Sequence, residues 1–191
     1  MTRLIVYGAG DFGQVVKPLA QECGFDVIGF IDDWHSGVDI LGPSAGLPER
    51  FPPSGYQIAF AIGYRYMDAR WRAFERLSRL GYEIPALVHP KAVVAVTATI
   101  DDGTFVMAGS IVDTRTHLGQ LSVVWPGAII NHDAIIGGNT FLSPGCIVCG
   151  HSEIGAGSFI GAGAVVVDHV RVPPGAFIKA ATRYAKRELK E

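Results

Sequence analysis

Ile130-Asn131-His132-Asp133-Ala134-Ile135, Ile136-Gly137-Gly138-Asn139-Thr140-Phe141, Leu142-Ser143-Pro144-Gly145-Cys146-Ile147 and Val148-Cys149-Gly150-His151-Ser152-Glu153 are four consecutive hexapeptides. Each opens on an aliphatic residue and carries a small one at its fifth place. Extended both ways, the register runs from Val88 to Ile178, sixteen aliphatic residues at intervals of six. Of the fifteen residues four places after them, Ala92 to Ala176, only Val170 is not small. A period of six matches neither a helix nor a simple strand, so one aliphatic and one small side chain must recur at fixed corners of a coiling chain. Three hexapeptides close one turn of a triangular prism, and the fifteen hexapeptides from Val88 to Phe177 make five coils of a left-handed parallel β-helix. The aliphatic residues, with Cys146 among the small ones, point inward. Glycines in Ile136-Gly137-Gly138, Ile154-Gly155-Ala156-Gly157 and Ile160-Gly161-Ala162-Gly163 are expected to supply backbone freedom at the corners.

Stacked coils set residues 18 apart in columns at about 4.8 Å. Arg115, Asp133, His151 and His169 therefore share one column, and Thr114, His132, Gly150 and Asp168 the next. This is a concentration of acid–base side chains on a repeat surface. A positioned base for proton transfer is a role to which histidine is suited, and Asp133 can orient the His132 imidazole, although His151 or Arg115 can claim that carboxylate. His89 and His117 are read as structural and His35 as a loop residue.

The residues before the repeat read as a different kind of structure. Leu4 to Tyr7 is a strand, Gly8-Ala9-Gly10-Asp11-Phe12-Gly13 a glycine-rich turn, the stretch to about Glu22 a helix, and Val27 to Ile31 a second strand ending at Asp32-Asp33. A GxGxxG loop opening a helix, with a carboxylate 19 residues after its last glycine, suits phosphates at the helix N-terminus and a ribose or base on the acid. Ile58 to Gly63 is a third strand, and Met67 to Leu80 a helix with Trp71, Phe74 and Leu77 on one face and its arginines on a solvated one. Leu41 to Tyr56 is read as loop and Pro85 to His89 as a hinge, giving an α/β, Rossmann-like βαβ domain over 1–85 and an all-β domain over 86–191. About 85 residues are half a dinucleotide fold, so a mononucleotide fits better than NAD.

The 191-residue chain is 49% apolar, with a mean hydropathy of +0.28, which is enough for packed cores. Sixteen basic against eighteen acidic residues, net −2, provide no field for nucleic acid or an anionic membrane. No apolar run can span a bilayer, and Met1-Thr2-Arg3 leads directly into a strand, so a cytoplasmic protein without membrane insertion is expected. Cys23, Cys146 and Cys149 are an odd number without metal-site spacing, consistent with reduced thiols.

Taken together, Tyr7-Gly8-Ala9-Gly10, Phe30-Ile31-Asp32-Asp33, Ala61-Ile62-Gly63, Leu87-Val88-His89-Pro90, Ile130-Asn131-His132-Asp133 and Ala162-Gly163-Ala164-Val165-Val166 before Pro173-Pro174-Gly175 resemble the hexapeptide-repeat sugar acyltransferases. That family includes sialic acid O-acetyltransferases and N-acetyltransferases of nucleotide-linked 4-amino sugars. The resemblance covers nearly the whole chain. It implies acetyl-CoA as co-substrate with no metal, a nucleotide-linked sugar as acceptor, and a homotrimer with active sites at subunit interfaces. Gly8, Gly10, Asp32, Asp33 and Gly63, with Tyr64 and Arg65, would hold the nucleotide sugar. His132 would be the general base with Asp133 beside it. Beside that resemblance, Gly150 sits one coil beyond His132 in the same column, a place for an oxyanion donor, and Ala162, Lys179 and Arg183, followed by Lys186 and Arg187, are the candidate coenzyme A contacts, with a solvated basic tail as the alternative for most of the basic residues. Tyr64-Arg65-Tyr66-Met67 stands where many members have Asp-Asn, Phe141 where many have His, and Lys179-Ala180-Ala181-Thr182 where the family closes on Gly-x-Pro-Ala. The rival classes are a γ-carbonic-anhydrase-like zinc enzyme on the same prism, a catalytically degenerate nucleotide-sugar-binding scaffold, and an NAD oxidoreductase.

Overall fold

A computed structural model describes residues 3–185, which divide into two units between Leu87 and Val88. The first unit runs β1 (Arg3–Tyr7), α1 (Asp11–Glu22), β2 (Asp26–Ile31), β3 (Ile40–Gly42), α2 (Leu47–Arg50), β4 (Gln57–Phe60) and α3 (Met67–Arg79). Its four strands form a parallel sheet in the order β3-β2-β1-β4. The centre is dry: Leu4, Ile5, Val6, Ile31, Ile58, Ala59 and Phe60 are fully buried. Near-continuous aliphatic strands are what a sheet covered on both faces requires.

Helix α2 falls inside the stretch read as loop, and strand β3 overlaps its start. Strand β3 is a three-residue edge, held by Phe30 N–H to Asp39 O (2.8 Å) and Asp32 N–H to Gly42 O (3.1 Å). It is too short, and too close to Gly37 and Pro43, to present an alternating pattern. Helix α2 is anchored by buried Leu47, and Arg50 donates to the carbonyls of Leu41 (2.6 Å), Ala45 (3.1 Å) and Pro43. The solvated arginine face of α3 also needs correction. Arg72, Arg76 and Arg79 are exposed, but Arg70 is fully buried, and burial pulls its guanidinium down to about 9. Position 70 lies one turn before Phe74 and two before Leu77, so it shares their core-facing stripe.

The second unit is a parallel β-helix of two-residue strands paired at intervals of 18 residues, on three faces. The first face runs from Leu87–Val88 to Phe177–Ile178, the second from Val93–Val94 to Arg183–Tyr184, and the third from Thr99–Ile100 to Arg171–Val172. The inward aliphatic residues form one core: Val106, Leu118, Val124, Ile130, Leu142, Val148, Ile160 and Val166 are fully buried. Each is worth roughly 1.5–3 kcal/mol of apolar burial. The small residues at the fifth place from Thr104 to Ala164 are buried as well, and those with hydroxyls satisfy backbone carbonyls, as Thr104 does at Gly119 O (3.0 Å) and Ser152 at Val167 O (2.7 Å).

The glycines have two jobs rather than one. Gly157 and Gly163 adopt the left-handed conformation, with φ of 70° and 64°. Gly137, Gly155 and Gly161 do not. They are glycine because the next coil lies against their Cα, where a Cβ would sit 2.5 Å from Ala156 N, 2.3 Å from Pro174 N and 2.4 Å from Ala180 N.

Candidate active site

One left-handed residue recurs every six positions from Gly103 to Ala181, once per corner. Between the first and second faces the column is Gly109, Gly127, Gly145, Gly163 and Ala181; between the third and first it is Gly103, Leu121, Asn139, Gly157 and Gly175. Seven of these ten are glycine. Between the second and third faces the same position holds Arg115, Asp133, His151 and His169, and none is glycine. A non-glycine residue there costs roughly 1–2 kcal/mol, and strain of this kind gathers at functional sites.

That corner binds itself together across coils. Arg115 donates from Nε to Asp133 Oδ1 (2.7 Å) and from Nη2 to Oδ2 (2.8 Å), a bidentate fork. His132 Nδ1 lies 2.9 Å from the same Oδ2, and His151 Nε2 lies 3.7 Å from it. The rings of His132 and His151 meet edge-to-face at 5.2 Å, and His151 stacks on His169 at 4.7 Å. The Arg115 fork, and after it His132, hold the Asp133 carboxyl well below the usual carboxylate range. An ionised carboxylate only accepts hydrogen bonds, so the imidazole must present Nδ1–H to it and carry its lone pair on Nε2. With its side chain 49% exposed, His132 is open to a reacting molecule.

Gly150 has a steric reason that the sequence alone did not suggest. The His132 ring lies over its Cα, and a Cβ there would be 2.6 Å from His132 Cε1 and 2.9 Å from Nε2. Among the described residues the buried Gly150 N–H has no acceptor. The nearby thiols are poor nucleophiles: burial pushes Cys146 up to about 12, and burial with Asp168 raises Cys149.

His132, Asp133 and His151 are also close enough to share a cation. The donor set opposes it, because both oxygens of Asp133 are taken by a guanidinium that would face the metal. His117 pairs instead with Asp101 at 3.0 Å, and buried His89 accepts from Lys91 N–H (2.9 Å).

The other sequence candidates lie elsewhere. Ala162 and Lys179 are exposed at the corner between the first and second faces, and Arg183 is exposed at the end of the second, so within one chain they do not join His132. Lys186 and Arg187 lie outside the described residues. Phe141 is buried on the first face between Val123 and Phe159.

In the first unit Gly8, Gly10 and Gly63 gather at the C-terminal edge of the sheet. Gly8 has φ 111°, and a Cβ on it would be 2.7 Å from Ala61 O. Gly10 caps α1 without any side-chain acceptor, and nothing lies within 4 Å of a Cβ built on Gly63. Strand order reverses between β1 and β4, the crevice where open α/β sheets bind ligands.

Asp32 sits beside this crevice but is already occupied. Its Oδ2 accepts from Ala9 N–H (2.7 Å), and its Oδ1 from the amides of Trp34 and His35 (both 2.8 Å) with His35 Nδ1 at 3.0 Å. Burial pushes its carboxyl up, but the amides of Ala9, His35 and Trp34 outweigh that and bring it down to about 2. Asp33 accepts from Ser44 N–H (2.7 Å) and Tyr7 OH (3.1 Å), while Tyr64 and Arg65 are exposed beyond Gly63. The residue passed over is His35. Its Cε1 lies 3.9 Å from the Cβ position of Gly10, and only the folding back of the 32–35 turn brings it there.

A glycine-loop α/β unit and a hexapeptide β-helix with a carboxylate-held imidazole at one corner define a hexapeptide-repeat transferase. Family models agree, the PglD N-terminal domain matching residues 3–77 and the bacterial transferase hexapeptide (six repeats) residues 133–168. The acetyltransferase domain of PglB from Neisseria gonorrhoeae, solved with acetyl coenzyme A, is 31% identical over 94% of this chain and 88% of its own, with a TM-score of 0.88. PerB from Caulobacter crescentus, solved with CoA and GDP-perosamine, shares the fold at 24% identity, covering 95% of each chain with a TM-score of 0.74. The chain belongs to the hexapeptide-repeat sugar acyltransferases. Among the described residues no helix is long and apolar enough to cross a membrane.

Proposed function

We propose that this protein transfers an acetyl group from acetyl-CoA to an amine or hydroxyl of a nucleotide-linked sugar, with His132 as general base. The observation that carries this reading is the pairing of His132 Nδ1 with Asp133 Oδ2 at 2.9 Å, which leaves Nε2 free to take a proton. The acetyl coenzyme A in the PglB domain and the CoA and GDP-perosamine in PerB support the choice of donor and acceptor. In the reaction the acceptor nitrogen or oxygen attacks the thioester carbonyl carbon as its proton passes to Nε2. The Gly150 N–H meets the developing oxyanion, the C–S bond breaks, and the coenzyme A thiolate takes the proton held on Nε2, which returns the imidazole to its starting form. Transfer is direct, because neither cysteine is activated.

The glycine loop, the α1 N-terminus and the crevice at Gly63 hold the nucleotide. Asp32 contributes by tying Ala9 to the turn at Trp34 and His35. The working assembly is a homotrimer. The outward positions of the second face, Val93, Ile111, Ile129, Ile147 and Val165, form an apolar ladder of which Val93 remains 62% exposed, and this face borders the His132 corner. A neighbouring copy on that ladder would bring its own Ala162–Lys179 corner to the site, joining groups that one chain keeps apart. The test is turnover of acetyl-CoA with a panel of nucleotide-linked amino and hydroxy sugars, by wild type and His132→Ala. Acyl transfer lost in the variant supports the reading; equal turnover in both abandons it.

A further inference from the structure

We propose that Arg115 is a positioning residue for acyl transfer: from the preceding coil it decides which histidine the Asp133 carboxylate serves. The inference rests on His132 being the base. Three groups converge on Asp133 Oδ2, namely Arg115 Nη2 at 2.8 Å, His132 Nδ1 at 2.9 Å and His151 Nε2 at 3.7 Å. His132 is the neighbour in sequence, and His151 lies one coil on in the same left-handed column as Asp133. Either imidazole can be the partner of a carboxylate free to turn.

Arg115 removes that freedom. Its fork engages both oxygens and so fixes the plane of the carboxylate as well as its distance, which a point charge cannot do. The Arg115 backbone is itself held, its N–H donating to Thr97 Oγ1 at 3.1 Å. Its φ of 57° places it in the strained conformation that the other two corners mostly assign to glycine, so this corner keeps a long side chain where the coil geometry favours none. Without the fork, Asp133 can swing toward His151, and His132 then loses the acceptor that keeps its lone pair on Nε2.

The experiment is steady-state kinetics of the full-length protein with acetyl-CoA and an accepted nucleotide sugar, for Arg115→Ala, Arg115→Lys, Asp133→Asn, the Arg115→Ala/Asp133→Asn pair and His132→Ala. Arg115→Ala is expected to lower kcat roughly 10- to 100-fold with both Michaelis constants little changed. Arg115→Lys should recover only part of the loss. In the Asp133→Asn background, Arg115→Ala should have almost no further effect, because the carboxylate it orients is gone. Full kcat in Arg115→Ala, or losses that multiply in the pair, would overturn the inference. Arg115→Lys, which keeps the charge, is read by the same kcat criterion if the alanine variant does not fold. Loss of activity in His132→Ala with none in the Arg115 variants refutes this role alone, whereas full activity in His132→Ala refutes the base itself.

Discussion

Two corners of the same β-helix solve one backbone problem in opposite ways. Between the first and second faces the left-handed position is glycine in four coils and alanine in the fifth, so no long side chain is held there. Between the second and third faces it is Arg115, Asp133, His151 and His169, and the strain holds a line of ionisable side chains at coil spacing. The fold therefore supplies equivalent positions, and only at this set does the sequence place a non-glycine residue in every one, which marks the candidate corner from the backbone alone.

The sharpest way to break the comparison is at His132, the proposed base. His132→Ala should cut turnover by about 10² to 10⁴ with both Michaelis constants nearly intact, the usual worth of general base catalysis, whereas a substitution at Gly127 should not touch chemistry at all. Gly150→Ala comes next. The added methyl would collide with the imidazole at 2.6 Å, so turnover should fall by about 10²-fold while the melting temperature stays close to wild type. Retained activity would show that the ring does not need its place over Gly150.

Smaller effects concern stability. Asp32, whose carboxyl is brought down to about 2, lies below its unfolded value, so its contribution is complete above about pH 4 and is lost as the pH falls through about 2. Asp32→Asn should remove up to about 2 kcal/mol at neutral pH and flatten the acid side of the stability curve in that window, readable from denaturant melts at pH 7 and pH 3. The two corners themselves give the smallest differences. Gly127, with φ 72° and only Gly145 backbone near its Cβ position, should lose about 1–2 kcal/mol on change to Ala. His169→Gly should gain a few tenths to about 1 kcal/mol by relieving the same conformation. Equal signs for the two would mean that the polar corner carries no strain.

The β-helix was legible because its period is local and its stacking is arithmetic: Val124, Ile130 and Leu142 declare the core by spacing, and adding 18 to 115 or 132 finds the columns. In the first unit β1, α1 and β2 were equally plain, since glycine loop and apolar runs are continuous. What stayed hidden depends on partners distant in sequence. Strand β3 exists because the edge of β2 was open to three residues, and Arg70 is buried by its place on the stripe of Phe74 and Leu77. The glycines at 137, 155 and 161 read as corner residues until the coil above them was in place.

By itself, then, the sequence determined the coil register, the βαβ unit with its glycine loop, and the presence of His132, Asp133, His151 and Arg115 on one edge, because each follows from repeat length and residue type. Only the tertiary structure decided how the carboxylates are used. Asp32 and Asp133 are both acids following an apolar strand, yet backbone amides fill the first, while a guanidinium and an imidazole share the second. Which donor wins a carboxylate is settled by competition at distances near 3 Å, and the backbone angles that set those distances are fixed only when the coils stack and the turns fold back.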